Sequence, residues 1–313
     1  MPIAPKNVLV TGAAGFIGSH LCDRLISDGH NVIGLDNLSS GHVDNLPSDF
    51  DLRVSDIRDD ELKVVIADLR PDLVFHLAAQ ISVSVSAREP EFDADVNIKG
   101  SLNLLEGLRS AGLDQSRLVY VTSGGTAYGA PEILPATEIA PVRPLSPYGV
   151  SKLVVEQYLT VYQKLAGISY AIVRLANIYG PRQDPHGEAG VVAIFSRAML
   201  NKSSMQIFGD GTDERDYVYV SDVVDAVVKA GYSDLTGPYN VGTGFGTSTN
   251  RIFEELANRT EHSEAAVHAP ARLGDIKKIA LDSSKAKREL GWEPKISLEE
   301  GLKRTVEWFK KNP

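Results

Sequence analysis

The chain has 313 residues, 43% of them hydrophobic and 23% charged, which suits one large globular domain or two small ones. Its net charge of −9 excludes a general nucleic-acid or membrane-surface binder, since both need a basic face, but leaves room for an anionic small ligand held by a few local Arg or Lys. The single cysteine, Cys22, excludes an intrachain disulfide. No apolar run reaches the roughly 18 residues of a membrane span, no secretory pattern opens the chain, and a cytoplasmic location is expected.

Taken in order, Asn7 to Thr11 (N-V-L-V-T) predicts a buried strand. G-A-A-G-F-I-G, Gly12 to Gly18, follows without a gap, and Ser19 to Asp28 is amphipathic. Strand, glycine turn and helix start in direct succession let a diphosphate approach a helix N-terminus, where unpaired N–H groups and the helix dipole favour an anion. Gly12, Gly15, Phe16, Ile17 and Gly18 are the expected contacts. A second strand, Asn31 to Leu35, ends in Asp36 and Asn37. A carboxylate there suits the 2′- and 3′-hydroxyls of an adenosine ribose and would repel a 2′-phosphate, so NAD is expected over NADP.

Further strands are predicted at Asp51 to Val54, Leu73 to Leu77, Arg117 to Thr122 and Ser169 to Arg174. Helices fall between them near Asp60 to Leu69, Glu91 to Ala111 and Ser146 to Leu165. This alternation predicts an α/β fold, a doubly wound parallel (Rossmann) sheet with ligands at the carboxyl ends of its strands. Past residue 175 the loops lengthen and carry Gly and Pro, while helical patterns persist at 190–200, 221–230, 250–259 and 298–310. A smaller loop-rich α/β lobe carrying substrate recognition is expected there. The expected division is 1–175 for the dinucleotide domain, rejoined by about 215–242, with 176–214 and 243–313 as the second lobe.

Candidate site residues fall at strand ends. Asp56 and Ile57 follow the third strand, where a carboxylate can accept from an adenine amino group beside an apolar flank; a surface Asp is the plain alternative. H-L-A-A, His76 to Ala79, ends the fourth strand, and Leu77, Ala78 and Ala79 let a cofactor lie against the backbone. His76 itself reads better as a satisfied core histidine than as a catalyst. Asn97 on the long helix could bond the cofactor or pack helix on sheet. In P-Y-G-V-S-K, Ser146 and Pro147 predict a helix start, which puts Tyr148 and Lys152 on one face, a turn apart. A tyrosine is a poor base at neutral pH, so the nearby ammonium and a positive nicotinamide ring are expected to lower its pKa. Tyr148 would then take a proton from a sugar hydroxyl as hydride leaves the same carbon.

T-G-A-A-G-F-I-G-S-H-L, H-L-A-A-Q, Y-G-V-S-K, R-L-A-N-I-Y-G-P-R, R-D-Y-V-Y-V-S-D-V and A-R-L-G-D, in this order over residues 7 to about 310, resemble the NAD-dependent nucleotide-sugar epimerase/dehydratases, an extended branch of the short-chain dehydrogenase/reductases. The resemblance implies a UDP-sugar substrate, a tightly held NAD, and reversible inversion at C4 of UDP-glucose and UDP-galactose through a 4-keto sugar. It implies a hydroxyl at the end of the fifth strand. The family's commonest Ser position is Gly124 here, so the role passes to Ser123 or Thr126. It implies that Asn177, Arg215, Arg272 and Asp275 bind the substrate diphosphate, sugar or uridine ribose, with Arg182 a weaker candidate; solvated ion pairs are the alternative for the arginines. It also implies a homodimer through the helices at 91–111 and 147–165.

Dehydratases of the family carry an Asp-Glu pair where Gly124–Gly125 stands, so elimination lacks its acid and base here. A UDP-glucuronate 4-epimerase, a decarboxylase and a non-catalytic NAD sensor are the remaining alternatives. Ile279, by the same resemblance, borders the sugar and is small enough to admit an N-acetyl group, so UDP-N-acetylhexosamines are a further expected substrate.

Overall fold

The computed structural model describes residues 4–186, 190–271 and 276–312. The strands of its main sheet are β1 (Asn7–Thr11), β2 (Asn31–Asp36), β3 (Asp51–Val54), β4 (Leu73–His76), β5 (Arg117–Ser123) and β6 (Ser169–Leu175). Three short strands, β7 (Asn177–Tyr179), β8 (Gln206–Phe208) and β9 (Glu214–Arg215), come next, then β10 (Tyr217–Tyr219) and β11 (Gly237–Val241). The chain adds β12 (Thr247–Ser248), β13 (Val267–Ala269) and β14 (Lys278–Ile279). β11 returns to the main sheet beside β6, giving the order β11-β6-β5-β4-β1-β2-β3 with every neighbour parallel.

Alternate residues along each strand feed opposite faces, as the two-residue strand period requires. Val8, Val10, Phe75, Val119 and Val173 pack one way, against α1 (Phe16–Ser27) and, on the same face, the later helix Val220–Tyr232. Leu9, Leu35, Val74, Leu118, Tyr120 and Ile172 pack the other way. There they meet α2 (Glu61–Leu69) and the later helices Gly100–Ser110 and Pro147–Ala166. With helices on both faces, the strands carry apolar side chains on both, which is why the sequence reads as near-continuous apolar runs.

Two helix boundaries differ from the sequence reading. α1 begins at Phe16, three residues before the amphipathic stretch, because Gly15 takes the extended cap conformation. The stretch expected as one helix from Glu91 is preceded by α3 (Val83–Arg88) and divided into α4 (Pro90–Ala94), a π-helical turn (Asp95–Lys99) and α5 (Gly100–Ser110). The V-S-V-S alternation imitates a strand and hides α3, which is capped by Ser82 Oγ accepting from the Val85 N–H at 3.0 Å. The π turn widens the helix at Asn97, beside the site described below.

After β5 come α6 (Gly124–Tyr128) and α7 (Pro147–Ala166), then α8 (Val191–Leu200), α9 (Val220–Tyr232), α10 (Thr249–Thr260), α11 (Ser284–Leu290) and α12 (Leu298–Lys311). α8, α10 and α12 build a separate core from Phe195, Met199, Ile252, Leu256, Leu302 and Val306, closed by Tyr179 and Tyr219. β9 pairs with β12 and β14, and β7 with β10, forming small sheets that follow the end of β6.

α7 is fastened to the main sheet by a buried ion pair. Arg174 of β6 donates to both oxygens of Glu156, at 3.1 and 2.5 Å, and both side chains are almost wholly buried. Arg174 also donates to Tyr128 Oη at 2.9 Å, and that hydroxyl donates to Asn240 Oδ1 of β11 at 2.8 Å. Removing one partner would strand the other charge, so Glu156→Ala is expected to cost about 3–5 kcal/mol of stability, measured by urea unfolding. A loss under about 1 kcal/mol, the scale of an exposed pair, would contradict this role.

Candidate active site

The glycine turn forms the floor of the site. Gly12 has φ +72°, and a Cβ added there would lie 2.8 Å from the Ala78 N, so the turn packs directly on the end of β4. At Gly18 a Cβ would fall 1.9 Å from the Gly12 carbonyl oxygen, which makes glycine obligatory there. No side chain caps α1, so the N–H groups of its first turn, at Phe16, Ile17 and Gly18, have no side-chain acceptor. Asp36, buried at the tip of β2, braces the turn: its carboxylate accepts from the Ala14 N–H at 3.0 Å and the Leu38 N–H at 2.8 Å. Each of its oxygens keeps a second lone pair for a ribose hydroxyl.

Other expected cofactor contacts are placed as follows. Asn37 donates to Asp56 at 2.8 Å. Asp56 is held mainly by Arg58, which donates to both its oxygens at 2.8 and 2.9 Å and pulls its pKa down to about 2. Ile57 is buried in the core against Gly100. Leu77, Ala78 and Ala79 are half-buried at the mouth of β4. Asn97 turns its amide onto protein groups: Oδ1 accepts from the Gln80 N–H at 2.8 Å, and Nδ2 is shared among the Gln80 carbonyl, Asp93 and Ser151 at 3.1 Å each. His76 is the satisfied core histidine the sequence suggested. It bonds Thr11 Oγ1 at 2.7 Å and Ser101 Oγ at 2.9 Å, and burial drives its pKa down to about 3.

α7 starts where Ser146 caps it, Oγ accepting from the Gly149 N–H at 3.1 Å with Pro147 in the first turn. Tyr148 and Lys152 therefore sit one turn apart. Lys152 is 4% exposed, its Nζ 4.5 Å from the centroid of the Tyr120 ring. Burial pulls its pKa down to about 7, with Glu156 and Asp93 acting the other way. Burial pushes the Tyr148 phenol up to about 12, and Asp93 adds to the rise. Desolvation acts on both groups, favouring the neutral form of each; the lowering expected from the ammonium together with a nicotinamide ring concerns the site with NAD bound.

Ser123 and Thr126 lie at the junction of β5 and α6. Ser123 caps α6, accepting from the Thr126 N–H at 3.3 Å, and Thr126 Oγ1 donates to the Ser123 carbonyl at 3.4 Å. A Cβ at Gly149 would lie 2.9 Å from the Thr126 carbonyl oxygen, so α6 abuts the first turn of α7. At Gly124 a Cβ would meet Leu281 Cδ1 at 2.5 Å, and this packing leaves no space for the acidic side chain an elimination would need without displacing Leu281.

Beyond β6, Asn177 begins β7 and Arg215 ends β9, both half-buried. Asp216, buried next to Arg215, gathers N–H groups from Thr243, Gly244 and Leu281 at 2.9 to 3.1 Å and fixes this edge. Arg182 is engaged with Asp23 of α1 at 2.8 Å. Ile279 is buried against Tyr128, Ala136 and Leu281. Arg272 and Asp275 lie outside the described residues. The sequence reading missed Gln80 and Asp93. Asp93 stands four residues before Asn97, and that helical spacing of two polar residues on an otherwise apolar face was the available signal.

A family model described as GDP-mannose 4,6 dehydratase matches residues 9–305, and the chain belongs to that family, extended short-chain dehydrogenase/reductases that act on nucleotide sugars. Within it, the chain is similar to UDP-glucose 4-epimerase of Mycolicibacterium smegmatis, 48% identical over 97% of this chain and 98% of that protein. The crystal structure of UDP-glucose 4-epimerase with UDP-glucose from Thermotoga maritima superposes with a TM-score of 0.95 at 48% identity, covering 98% of this chain and 99% of the other. That of the Thermus thermophilus UDP-glucose 4-epimerase complex with NAD gives 0.91 at 43% identity, covering 97% and 98%.

The residues present fit NAD: an uncapped helix N-terminus for the diphosphate, glycines where side chains would collide, and Asp36 for an unphosphorylated ribose. Gly18→Ala is expected to yield protein that folds poorly or purifies with little NAD. Absorbance near 260 nm and cofactor release on denaturation report it, and wild-type cofactor content in a stable variant would refute the packing argument.

Proposed function

We propose that the protein interconverts UDP-glucose and UDP-galactose by inversion at C4, passing through a transient 4-keto sugar with NAD bound throughout. The observation that carries this is the Tyr148–Lys152 face of α7, with Lys152 buried and Tyr148 half-buried, together with Gly124 packed where an elimination acid would stand. NAD, when bound, supplies a hydride acceptor and donor in one molecule. Tyr148 Oη removes the C4 hydroxyl proton and later returns it. Lys152 offers a positive charge to the phenolate that forms. Ser123 or Thr126 orients the reacting oxygen, and Asn177 and Arg215 hold the diphosphate side; by family resemblance Arg272 shares that role and Asp275 accepts from the uridine ribose. A planar guanidinium suits the diphosphate. A firmly held nucleotide and a sugar able to turn allow either face of C4 to meet the nicotinamide.

A homodimer through α5 and α7 accompanies this reading. Val150, Val161 and Leu165 of α7 are 47%, 46% and 71% exposed, an apolar face that a second copy would cover. Val161→Glu combined with Leu165→Glu is expected to give a monomer in sedimentation equilibrium, and an unaltered mass would remove that interface. The protein is expected in the cytoplasm; no helix among the described residues is long and apolar enough to cross a membrane. A non-catalytic NAD sensor is disfavoured, because a sensor has no use for a Tyr–Lys pair one turn apart with its lysine buried.

The test is incubation with UDP-glucose, UDP-galactose, UDP-N-acetylhexosamines and UDP-glucuronate, without added NAD, followed by product identification. Conversion of UDP-glucose to UDP-galactose is expected, and Tyr148→Phe is expected to lose about 10²- to 10⁴-fold in kcat while retaining NAD. A wild-type protein inert toward the UDP-hexoses, or a Tyr148→Phe variant with unchanged kcat, would overturn the assignment.

A further inference from the structure

Beside the Tyr148–Lys152 face lies a buried carboxylate that no step above uses. Asp93, on α4, is 1% exposed. Its Oδ1 accepts from Gln80 Nε2 at 2.7 Å and from Asn97 Nδ2 at 3.1 Å. Its Oδ2 is buried with no hydrogen-bond partner among the described residues. Glu156 is the other buried carboxylate whose field reaches Lys152, and both its oxygens are occupied by Arg174. Asp93, by contrast, accepts only from neutral amides. A buried carboxylate without a cation is strongly disfavoured, so its presence calls for positive charge close by. The field of Asp93 reaches Lys152, Tyr148 and Tyr120. The intervening links are short: Asn97 Nδ2 also donates to Ser151 Oγ at 3.1 Å, and Ser151 Oγ donates to the Tyr148 carbonyl at 3.0 Å.

We propose that Asp93 is a positioning residue for the reaction, the buried counter-charge that keeps Lys152 an ammonium beside Tyr148 while touching neither substrate nor cofactor. The inference rests on the 4-epimerase reading. The groups that face Lys152 are Glu156 and Tyr148 on its own helix, Tyr120 on β5, His76 on β4 and Asp93 on α4. His76 is held neutral by burial, and Glu156 is matched by Arg174. Asp95, in the following turn, is exposed to solvent and engaged by Arg58 and Lys99. Among the described residues, Asp93 is therefore the carboxylate of this set without a cationic hydrogen-bond partner. It acts on both members of the pair in the same sense, favouring the protonated form of Lys152 and of Tyr148.

Neutralising Asp93 must lower the pKa of both groups. The low-pH limb of turnover requires Tyr148 to give up its proton, and the high-pH limb requires Lys152 to keep one. Both limbs then move toward acid. The experiment measures kcat against pH for UDP-hexose interconversion by the wild-type holoenzyme, Asp93→Asn and Asp93→Leu. The second substitution removes the same charge without adding an amide that needs partners, and it serves if the first folds poorly. A parallel readout follows the Lys152 13Cε resonance in lysine-labelled protein, assigned by its loss in Lys152→Met. Both variants are expected to shift both limbs and the Lys152 titration downward by about one unit, with about tenfold lower turnover on the alkaline side. An equal loss at every pH with limbs and titration unmoved would reduce Asp93 to a structural part, and unchanged profiles would overturn the proposal outright. If the wild type turns over no UDP-hexose, the 4-epimerase reading fails by itself. The Lys152 titration still decides whether Asp93 and Lys152 are coupled.

Discussion

The Glu156–Arg174 pair, buried between α7 and β6, is the contact on which the rest of the site's geometry rests. A helix on a sheet face can slide or roll, because apolar packing specifies direction weakly. A bidentate ion pair fixes register, since either charge displaced by a few ångströms becomes an unpaired buried ion. With α7 so held, its first turn meets α6 at Thr126, and Tyr148 and Lys152 are set at the carboxyl edge of the sheet. The Tyr128 hydroxyl extends the same network to Asn240 on β11, the last strand to join the main sheet. One polar cluster thus joins the helix bearing Tyr148 and Lys152, the strand beneath it and the later chain.

Enclosure then sets the electrostatics. Burial works against ions of either sign, raising the Tyr148 phenol and lowering the Lys152 ammonium. The reactivity of the pair therefore depends on charges placed near it. A bound nicotinamide cation brings one such charge. In the proposal made here Asp93 brings another, of opposite sign. A site run this way is sensitive to single buried charges and insensitive to the many exposed ion pairs, such as Arg24–Asp28 or Arg304–Glu300, that surround it.

Much of this was legible in the residues. Strand alternation, the glycine turn, the Asp36 terminus and the Ser146–Pro147 helix start are local signals, and each maps onto one structural event. Asp56 was legible as a polar residue after a strand and Asn97 as one on a helix, but not in their engagements. Partners such as Gln80, Ser151 and Arg58 are defined by packing between segments. α3 was hidden because V-S-V-S carries a two-residue period while Ser82 caps a helix. The upward push of burial on the Tyr148 phenol was not legible, because spacing along a helix reports which side chains neighbour one another, not how completely protein excludes water from them. Arg272 and Asp275 rest on family resemblance.

The central claim is that Tyr148 moves the hydroxyl proton while the C4 hydrogen leaves and returns as hydride without meeting solvent. The most direct measurement uses UDP-galactose deuterated at C4, converted in ordinary water, with the product isolated and its label counted. Full retention of deuterium at C4 of UDP-glucose is the expected result. Washout of the label into water would mean that carbon is deprotonated by a base, and the account of this site would be wrong.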